Sequence, residues 1–336
     1  MKQIIKPSNS KTVIKILFIW KVEDRLKEYL QKGLSNTSNI NLIFPNIVDE
    51  EHLLSLSSDV QIIIGWRPTR ELLEKAVRLK LFINPGAGVQ HLISLFKEIN
   101  QTRSVPLING HGNAYFTAQH GVALLLSLTN KIIPHHLWMK EGKWRLGDKQ
   151  AKSIPLKYRK IGLLGYGHVN KQIYKMLSGF TDQIEILRSD YSELTELHEF
   201  LKRIDILICA VPFTSKTKNL IKAEELNLVG KNGILINLSR GQVIKEKDLF
   251  NALKEKLIHS SAIDVWYDYD PVPDEDDRKY PFHYPFHEVD NIILSPHRAA
   301  SPFDDLKRWD EVIENISRFA VGDTKFINVV DLDKEY

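Results

Sequence analysis

The sequence predicts an α/β chain of two βαβ domains, each built on a parallel sheet. Short apolar runs rich in Ile, Val and Leu alternate with segments of helical spacing, and Gly or Pro marks the connections. That alternation is the signature of parallel strands joined by crossover helices. The rhythm fills the first hundred residues, gives way to one long helical stretch, and restarts at Lys160. A chain of 336 residues has room for about two domains, each with a core of its own.

Val13–Trp20 reads as the first strand. No small-residue cleavage site follows it, so it is not read as a signal peptide. Glu23–Gly33 has helical spacing, with Gly33 as its expected C-cap. Val60–Gly65 is a buried strand, Glu71–Leu79 a helix, and Leu81–Asn84 a strand that runs into Pro85-Gly86-Ala87-Gly88-Val89. Ala114–Ile133 is expected to form one helix stopped by Pro134, followed by a polar, Trp-bearing arm over His135–Lys157. The second series of strands covers Ile161–Leu164, Ile184–Leu187, Ile206–Val211, Ile234–Leu238, Ser261–Val265 and Ile292–Leu294. A last helix is expected over Phe303–Ala320.

Composition narrows the function classes. Hydrophobic residues at 43% and charged residues at 26% exclude disordered and fibrous chains. The net charge of +4 is spread along the chain without a basic stripe, which argues against a nucleic-acid partner. No apolar stretch approaches the length needed to span a bilayer, so no membrane partner is expected. The single cysteine, Cys209, allows no internal disulfide and no Cys-based zinc site. It favours a reducing, cytoplasmic address and, lying inside a strand, reads as a small buried hydrophobe.

Chemistry gathers where strands end. Lys160–Asn170 is an apolar strand, a Gly165-Tyr166-Gly167 turn, and a helix beginning at His168-Val169. Such a turn brings backbone close to a pyrophosphate at the positive end of the helix. Asn170 stands where a third glycine would allow close packing, so the helix is expected to sit slightly further out. Arg188, with Ser189 beside it, follows the next strand and suits a 2′-phosphate. A solvated arginine, or Asp190 turned inward on a ribose, is the alternative. Val211-Pro212 closes a further strand as an apolar wall. Arg240 follows the strand ending at Leu238-Ser239, and His297 follows Ile292–Leu294. Open α/β sheets bind ligands at the carboxyl ends of their strands, which places both side chains to meet an anion.

From about Ile62 to Ser301 the chain resembles the D-isomer-specific 2-hydroxyacid dehydrogenase family. The resemblance rests on Gly86-Ala-Gly-Val89, Gly165-Tyr-Gly167, Val211-Pro212-x-Thr214-x-x-Thr217, Ser239-Arg240-Gly241-x-Val243, Ala262-Ile-Asp264-Val265-Trp266 and Ser295-Pro-His297-x-Ala299, in that order. It implies Rossmann-like or flavodoxin-like domains, with a dinucleotide-binding domain over 106–299 inserted in a substrate domain formed by 1–105 and 300–336. The active site would lie in the cleft. The implied activity is hydride transfer between NAD or NADP and a small anionic 2-oxo or D-2-hydroxy acid, and a homodimer is expected.

The resemblance also implies roles. Arg240 would hold the substrate carboxylate and polarise its carbonyl, and His297 would be the acid or base. The backbone of Ala87, Gly88 and Val89 would hold the carboxylate from the other domain. Gly165, Tyr166, Gly167, His168, Val169, Arg188, Ser189, Val211, Pro212, Thr217, Leu238, Ser239, Asp264 and Ala299 would contact the dinucleotide, Asp264 on its nicotinamide side. No metal is expected.

One departure stands out. The family places a Glu before a Pro, hydrogen-bonded to the His. Here the stretch is Trp266-Tyr-Asp268-Tyr269-Asp270-Pro271. Asp270 is taken as the replacing carboxylate, with Tyr269 as the alternative. The tandem Tyr280-Pro-Phe-His283 and Tyr284-Pro-Phe-His287 reads as aromatic packing in preference to a metal site. Trp66 and Arg67 either line a pocket or cap their strand. Rival readings are a formate- or phosphite-type oxyanion dehydrogenase and a non-catalytic dinucleotide-sensing protein on the same fold.

Overall fold

The computed structural model describes residues 13–145, 150–188, 191, 193–300 and 305–336. They fall into two compact units, one within Met1–Gly112 and Phe303–Tyr336, the other within Asn113–Pro302.

The first unit runs β1 (Ile14–Phe18), α1 (Asp24–Gly33), β2 (Ile40–Ile43), α2 (Glu50–Ser57), β3 (Ile62–Ile64), α3 (Arg70–Lys75), β4 (Leu81–Asn84), α4 (Ile93–Thr102) and β5 (Leu107–Asn109). Its sheet has the order β2-β1-β3-β4-β5 and every pair is parallel. Alternate residues feed two cores: Leu17, Ile63, Phe82 and Phe96 on one face, Ile16, Phe18, Ile62 and Ile83 on the other. A strand buried on both faces has no polar side to show, which is why β3 reads as an unbroken apolar run.

Local chemistry sets several boundaries. Thr69 Oγ1 accepts from Leu72 N at 3.2 Å and starts α3 at Arg70, and α3 stops at Lys75, short of the expected Leu79. Gly33 is not a cap. It lies inside α1, whose C-cap is Leu34. A Cβ on Gly33 would come within 2.5 Å of Ile313 Cδ1, so the glycine permits close approach of the helix Asp310–Ala320. A 3₁₀ turn, Leu306–Trp309, precedes that helix, which therefore starts later than expected.

The second unit runs α5 (Ala114–Thr129), α6 (Ile132–Lys140), β6 (Ile161–Leu164), α7 (His168–Leu177), β7 (Ile184–Leu187), α8 (Thr195–Leu201), β8 (Ile206–Cys209), α9 (Ala223–Val229), β9 (Ile234–Asn237), α10 (Glu246–Lys254), β10 (Ser260–Ile263) and β11 (Ile292–Leu294). Its strands follow the order β11-β10-β9-β8-β6-β7, again all parallel. The single helix expected over Ala114–Ile133 is two. Lys131 takes a left-handed φ of 55° and breaks the run, and α6 claims the first part of the arm. Pro134 then sits in the first turn of α6, where a missing N–H costs nothing.

The strand order reverses at β6, with β7 on one side and β8 on the other. The carboxyl ends of β6 and β8 therefore flank the crevice in which such sheets bind ligands.

Candidate active site

At that crevice, Gly165 ends β6 with φ 80°. A Cβ there would lie 2.9 Å from Val211 Cγ1 and 3.1 Å from Ala210 O, so conformation and space both demand glycine. Gly167 has no atom within 4 Å of where its Cβ would be and is the exposed N-cap of α7. Open backbone on a helix N-terminus, next to a sterically enforced turn, fits a dinucleotide pyrophosphate. Asn170 is fully buried. Its Nδ2 donates to Gly165 O at 2.7 Å and Leu164 O at 3.0 Å, so it bolts the helix to the turn where a loosened helix was expected.

The walls of the crevice are tied to one another. Ser239 Oγ accepts from Val211 N at 2.9 Å, joining the ends of β8 and β9. Thr217 Oγ1 donates to Pro212 O at 2.7 Å and accepts from Thr214 N at 2.8 Å. Leu238 and Val211 are buried, as is Cys209, whose thiol is pushed up to about 11 by burial. Tyr166 packs edge-on against Tyr174. Arg188 stands exposed after β7, and Ser189 lies outside the described residues, as does Asp190.

Three neighbouring strands then bring an arginine, a carboxylate and a histidine to the same end of the sheet. Arg240 follows β9, Asp264 follows β10 and His297 follows β11. Arg240 Nη1 donates to Ser239 O at 2.8 Å. Burial lowers the Arg240 pKa from its ordinary value, but a guanidinium starts so high that it keeps its charge. His297 holds a left-handed φ of 56°, uncommon for any residue with a Cβ. Burial lowers the affinity of its imidazole for a proton; Asp264 raises it and Arg240 lowers it further.

Asp264 is 1% exposed. It accepts from Ser295 Oγ, from Arg298 N at 2.8 Å and from Ala299 N at 3.0 Å. Its carboxylate thus holds the loop carrying His297 from both sides. Ser295 Oγ also meets His120 Nε2 at 2.8 Å, and Trp266 Nε1 donates to Ser295 O at 2.8 Å. Sequence reading missed His120, an isolated histidine on α5, and gave Ser295 no role beyond its place before Pro296-His297.

Asp270 does not take the position expected of it. It is exposed, and its N–H bonds Asp268 Oδ1 at 2.9 Å. The ring facing His297 belongs to Tyr269, at 5.2 Å between centroids. Tyr269 Oη accepts from Trp266 N at 3.1 Å. Burial raises the phenol pKa, and the Arg240 charge opposes that rise.

The tandem aromatic loop packs as aromatics. His287 stacks on Tyr280 at 4.1 Å, whereas His283 Nδ1 bonds Glu246 Oε2 at 2.8 Å, so the two histidines face different partners. Elsewhere, His198, Glu224 and Glu225 bring possible ligand atoms within 4.8 Å of one another. The 2.7 Å bond from His198 Nε2 to Glu225 Oε1 joins α8 to α9.

In the first unit, the loop after β4 is fastened by its carbonyls. Asn84 Nδ2 donates to Gly86 O, and Asn109 Nδ2 to Ala87 O at 2.9 Å. Val89 is buried. Trp66 packs among Trp20 and Trp309, and its carbonyl meets His91 Nε2 at 2.5 Å.

Residues 122–299 match the D-isomer specific 2-hydroxyacid dehydrogenase NAD-binding domain. The chain belongs to this family. Among similar 2-hydroxyacid dehydrogenase relatives, D-3-phosphoglycerate dehydrogenase of Methanocaldococcus jannaschii is 28% identical over 96% of this chain, which spans only 61% of that protein. Glyoxylate reductase of Korarchaeum cryptofilum is 26% identical, over 90% of this chain and 89% of the relative. A D-isomer specific 2-hydroxyacid dehydrogenase from Xanthobacter autotrophicus Py2, solved with NADPH and MES, has the same fold at a TM-score of 0.76 and 21% identity, covering 97% of this chain and 100% of the other. Among the described residues, no helix is long and apolar enough to cross a membrane.

Proposed function

We propose that this chain is an NAD(P)-dependent dehydrogenase that reduces a small 2-oxo acid to its D-2-hydroxy acid, and catalyses the reverse oxidation. The observation that carries the reading is the delivery of Arg240, Asp264 and His297 from three adjacent strand ends, with β8 between them and the strand that leads into the Gly165–Gly167 turn. A bound nicotinamide dinucleotide supplies or accepts the hydride. Gly165, Gly167 and the first turn of α7 would hold its pyrophosphate.

Arg240 presents a planar fork to the substrate carboxylate and stabilises charge developing on the carbonyl oxygen. His297 donates a proton to that oxygen in reduction and removes it in oxidation. The names of the glyoxylate reductase and phosphoglycerate dehydrogenase relatives fit a substrate of this kind.

The proposal extends to three finer points. Arg188 leans the cofactor choice towards NADP, because an exposed guanidinium after β7 can pair with a 2′-phosphate. A homodimer is supported by the exposed Ile132, Ile133, Leu137 and Met139 of α6. A cytoplasmic location is supported by a lone, buried cysteine. Assay of a panel of 2-oxo acids, glyoxylate and hydroxypyruvate included, with NADH and NADPH in parallel tests the central claim. No cofactor oxidation with any of them overturns it in favour of a dinucleotide-sensing protein.

A further inference from the structure

His120, Ser295 and Asp264 are the three residue types of a nucleophilic triad, but their hydrogen bonds run the wrong way for one. Ser295 Oγ gives its proton to Asp264 Oδ1. A hydroxyl has only one proton, so the 2.8 Å contact with His120 Nε2 must be donated by the imidazole. The chain therefore runs from the His120 N–H, through the Ser295 hydroxyl, to the Asp264 carboxylate. No base withdraws the serine proton, and the serine is not activated.

Such a chain is polarised in one sense, and its members strengthen one another. It ends on the carboxylate that also accepts Arg298 N and Ala299 N, the two amides directly after His297. Ser295, two residues before His297, is fixed a second time through its carbonyl by Trp266 Nε1. The left-handed turn at His297 is thus clamped on both flanks by one network, and a disfavoured backbone conformation persists only when its surroundings impose it.

We propose that His120 is a positioning residue for the His297 acid–base, acting through Ser295 and Asp264. The groups facing His297 are Arg240 from the end of β9, Asp264 from the end of β10, and Tyr269 from the loop beyond. His120 reaches it from α5 by way of Ser295 and of Asp264, whose Oδ1 lies 3.5 Å from His120 Nε2. Asp264 is the carboxylate whose charge acts on the imidazole. His297 is already partly open to solvent; breaking the chain loosens the clamp, lets its turn relax further and relieves the desolvation that disfavours its charged form. The imidazole then titrates nearer its ordinary value, at higher pH.

This inference rests on His297 as the proton donor, but its test needs no substrate. The imidazole Cε1–Hε1 signal of His297, assigned by its loss in His297→Asn, is titrated by NMR in the wild type, His120→Phe, His120→Gln and Ser295→Ala. His120→Phe and Ser295→Ala are expected to raise the His297 pKa by on the order of half a pH unit. His120→Gln, whose amide can still donate to Ser295 Oγ, is expected to restore the wild-type value. Wild-type titration in both folded disrupting variants overturns the proposal, as does a His120→Gln variant that behaves like His120→Phe. If His120→Phe fails to fold, Ser295→Ala decides the matter alone. A wild-type protein that turns over no 2-oxo acid defeats the functional reading without touching these shifts.

Discussion

The ring of Tyr269 lies against the imidazole of His297, with centroids 5.2 Å apart and planes inclined at 60°. A phenol there can pack and orient, but it brings no negative charge to hold a proton on the imidazole. Reduction needs the protonated imidazole and oxidation the neutral one. With burial, then Arg240, outweighing the pull of Asp264, the rate of reduction is expected to fall as pH rises through a His297 pKa below the ordinary ~6.5. Tyr269→Glu places a carboxylate beside the ring, and the falling limb is expected to move up by about one pH unit or more. Asp270→Asn, at an exposed position, is expected to leave the profile in place. A limb that follows Asp270 and ignores position 269 defeats this account.

Arg240 is expected to be irreplaceable by lysine. The substitution keeps a charge but loses the fork that binds a carboxylate through two parallel bonds. For Arg240→Lys, kcat/KM with 2-oxo acids is expected to fall by two or more orders of magnitude, on the order of 3 kcal/mol of transition-state stabilisation. Dinucleotide affinity, read by fluorescence titration, is expected to change little. An unimpaired lysine variant removes Arg240 from the site.

What the sequence made legible, and what it hid, follows from burial and chain separation. Strands β3, β4, β6, β8 and β9 are covered on both faces and read as apolar runs. β2 is a half-buried edge, Ile40-Asn41-Leu42-Ile43, and β5 is three residues long, so neither leaves a pattern to read. Arg240 and His297 were legible because each directly follows a strand. The Asp270 expectation failed because adjacent residues in a loop point in different directions, and a Pro after an acidic residue says nothing about which of them meets the histidine ring. His120 could not be inferred. Its partners come from the ends of β10 and β11, and only folding brings a histidine on α5 to them. Pro134 misled for a similar reason: proline is as acceptable in the first turn of a helix as it is just past the end of one.

Cofactor preference is expected to follow Arg188. A guanidinium on the 2′-phosphate is a charge-assisted pair worth on the order of 1.5–3 kcal/mol, discounted here because Arg188 is exposed. Titration with both reduced cofactors is expected to show tighter binding of NADPH, and Arg188→Ala to remove most of that margin while leaving NADH binding nearly unchanged. Tighter binding of NADH by the wild type reverses the assignment.

Asn170 gives the remaining prediction, which separates a space-filling role from a bonding one. Its amide nitrogen donates to Gly165 O and Leu164 O from a fully buried position. Leu164 O also receives Ala210 N at 3.1 Å, so truncation deprives chiefly Gly165 O, the carbonyl of the turn whose φ is already left-handed. Leaving one buried acceptor short costs about 1–3 kcal/mol, which in a domain of this size lowers Tm by roughly 2–4 °C for each kcal/mol. Asn170→Ala is therefore expected to melt several degrees lower and to bind either dinucleotide more weakly, because the turn loses its fastening to α7. Asn170→Asp has the same shape but exchanges the donor for an acceptor aimed at two carbonyl oxygens, and in the ionised form it adds a buried charge. It is expected to be the less stable of the two. Thermal denaturation of the three proteins, with cofactor titration at one temperature, gives the order. If Asn170→Ala melts with the wild type, the residue only fills space. If Asn170→Asp is the more stable variant, a donor on the far side of the side chain governs this position.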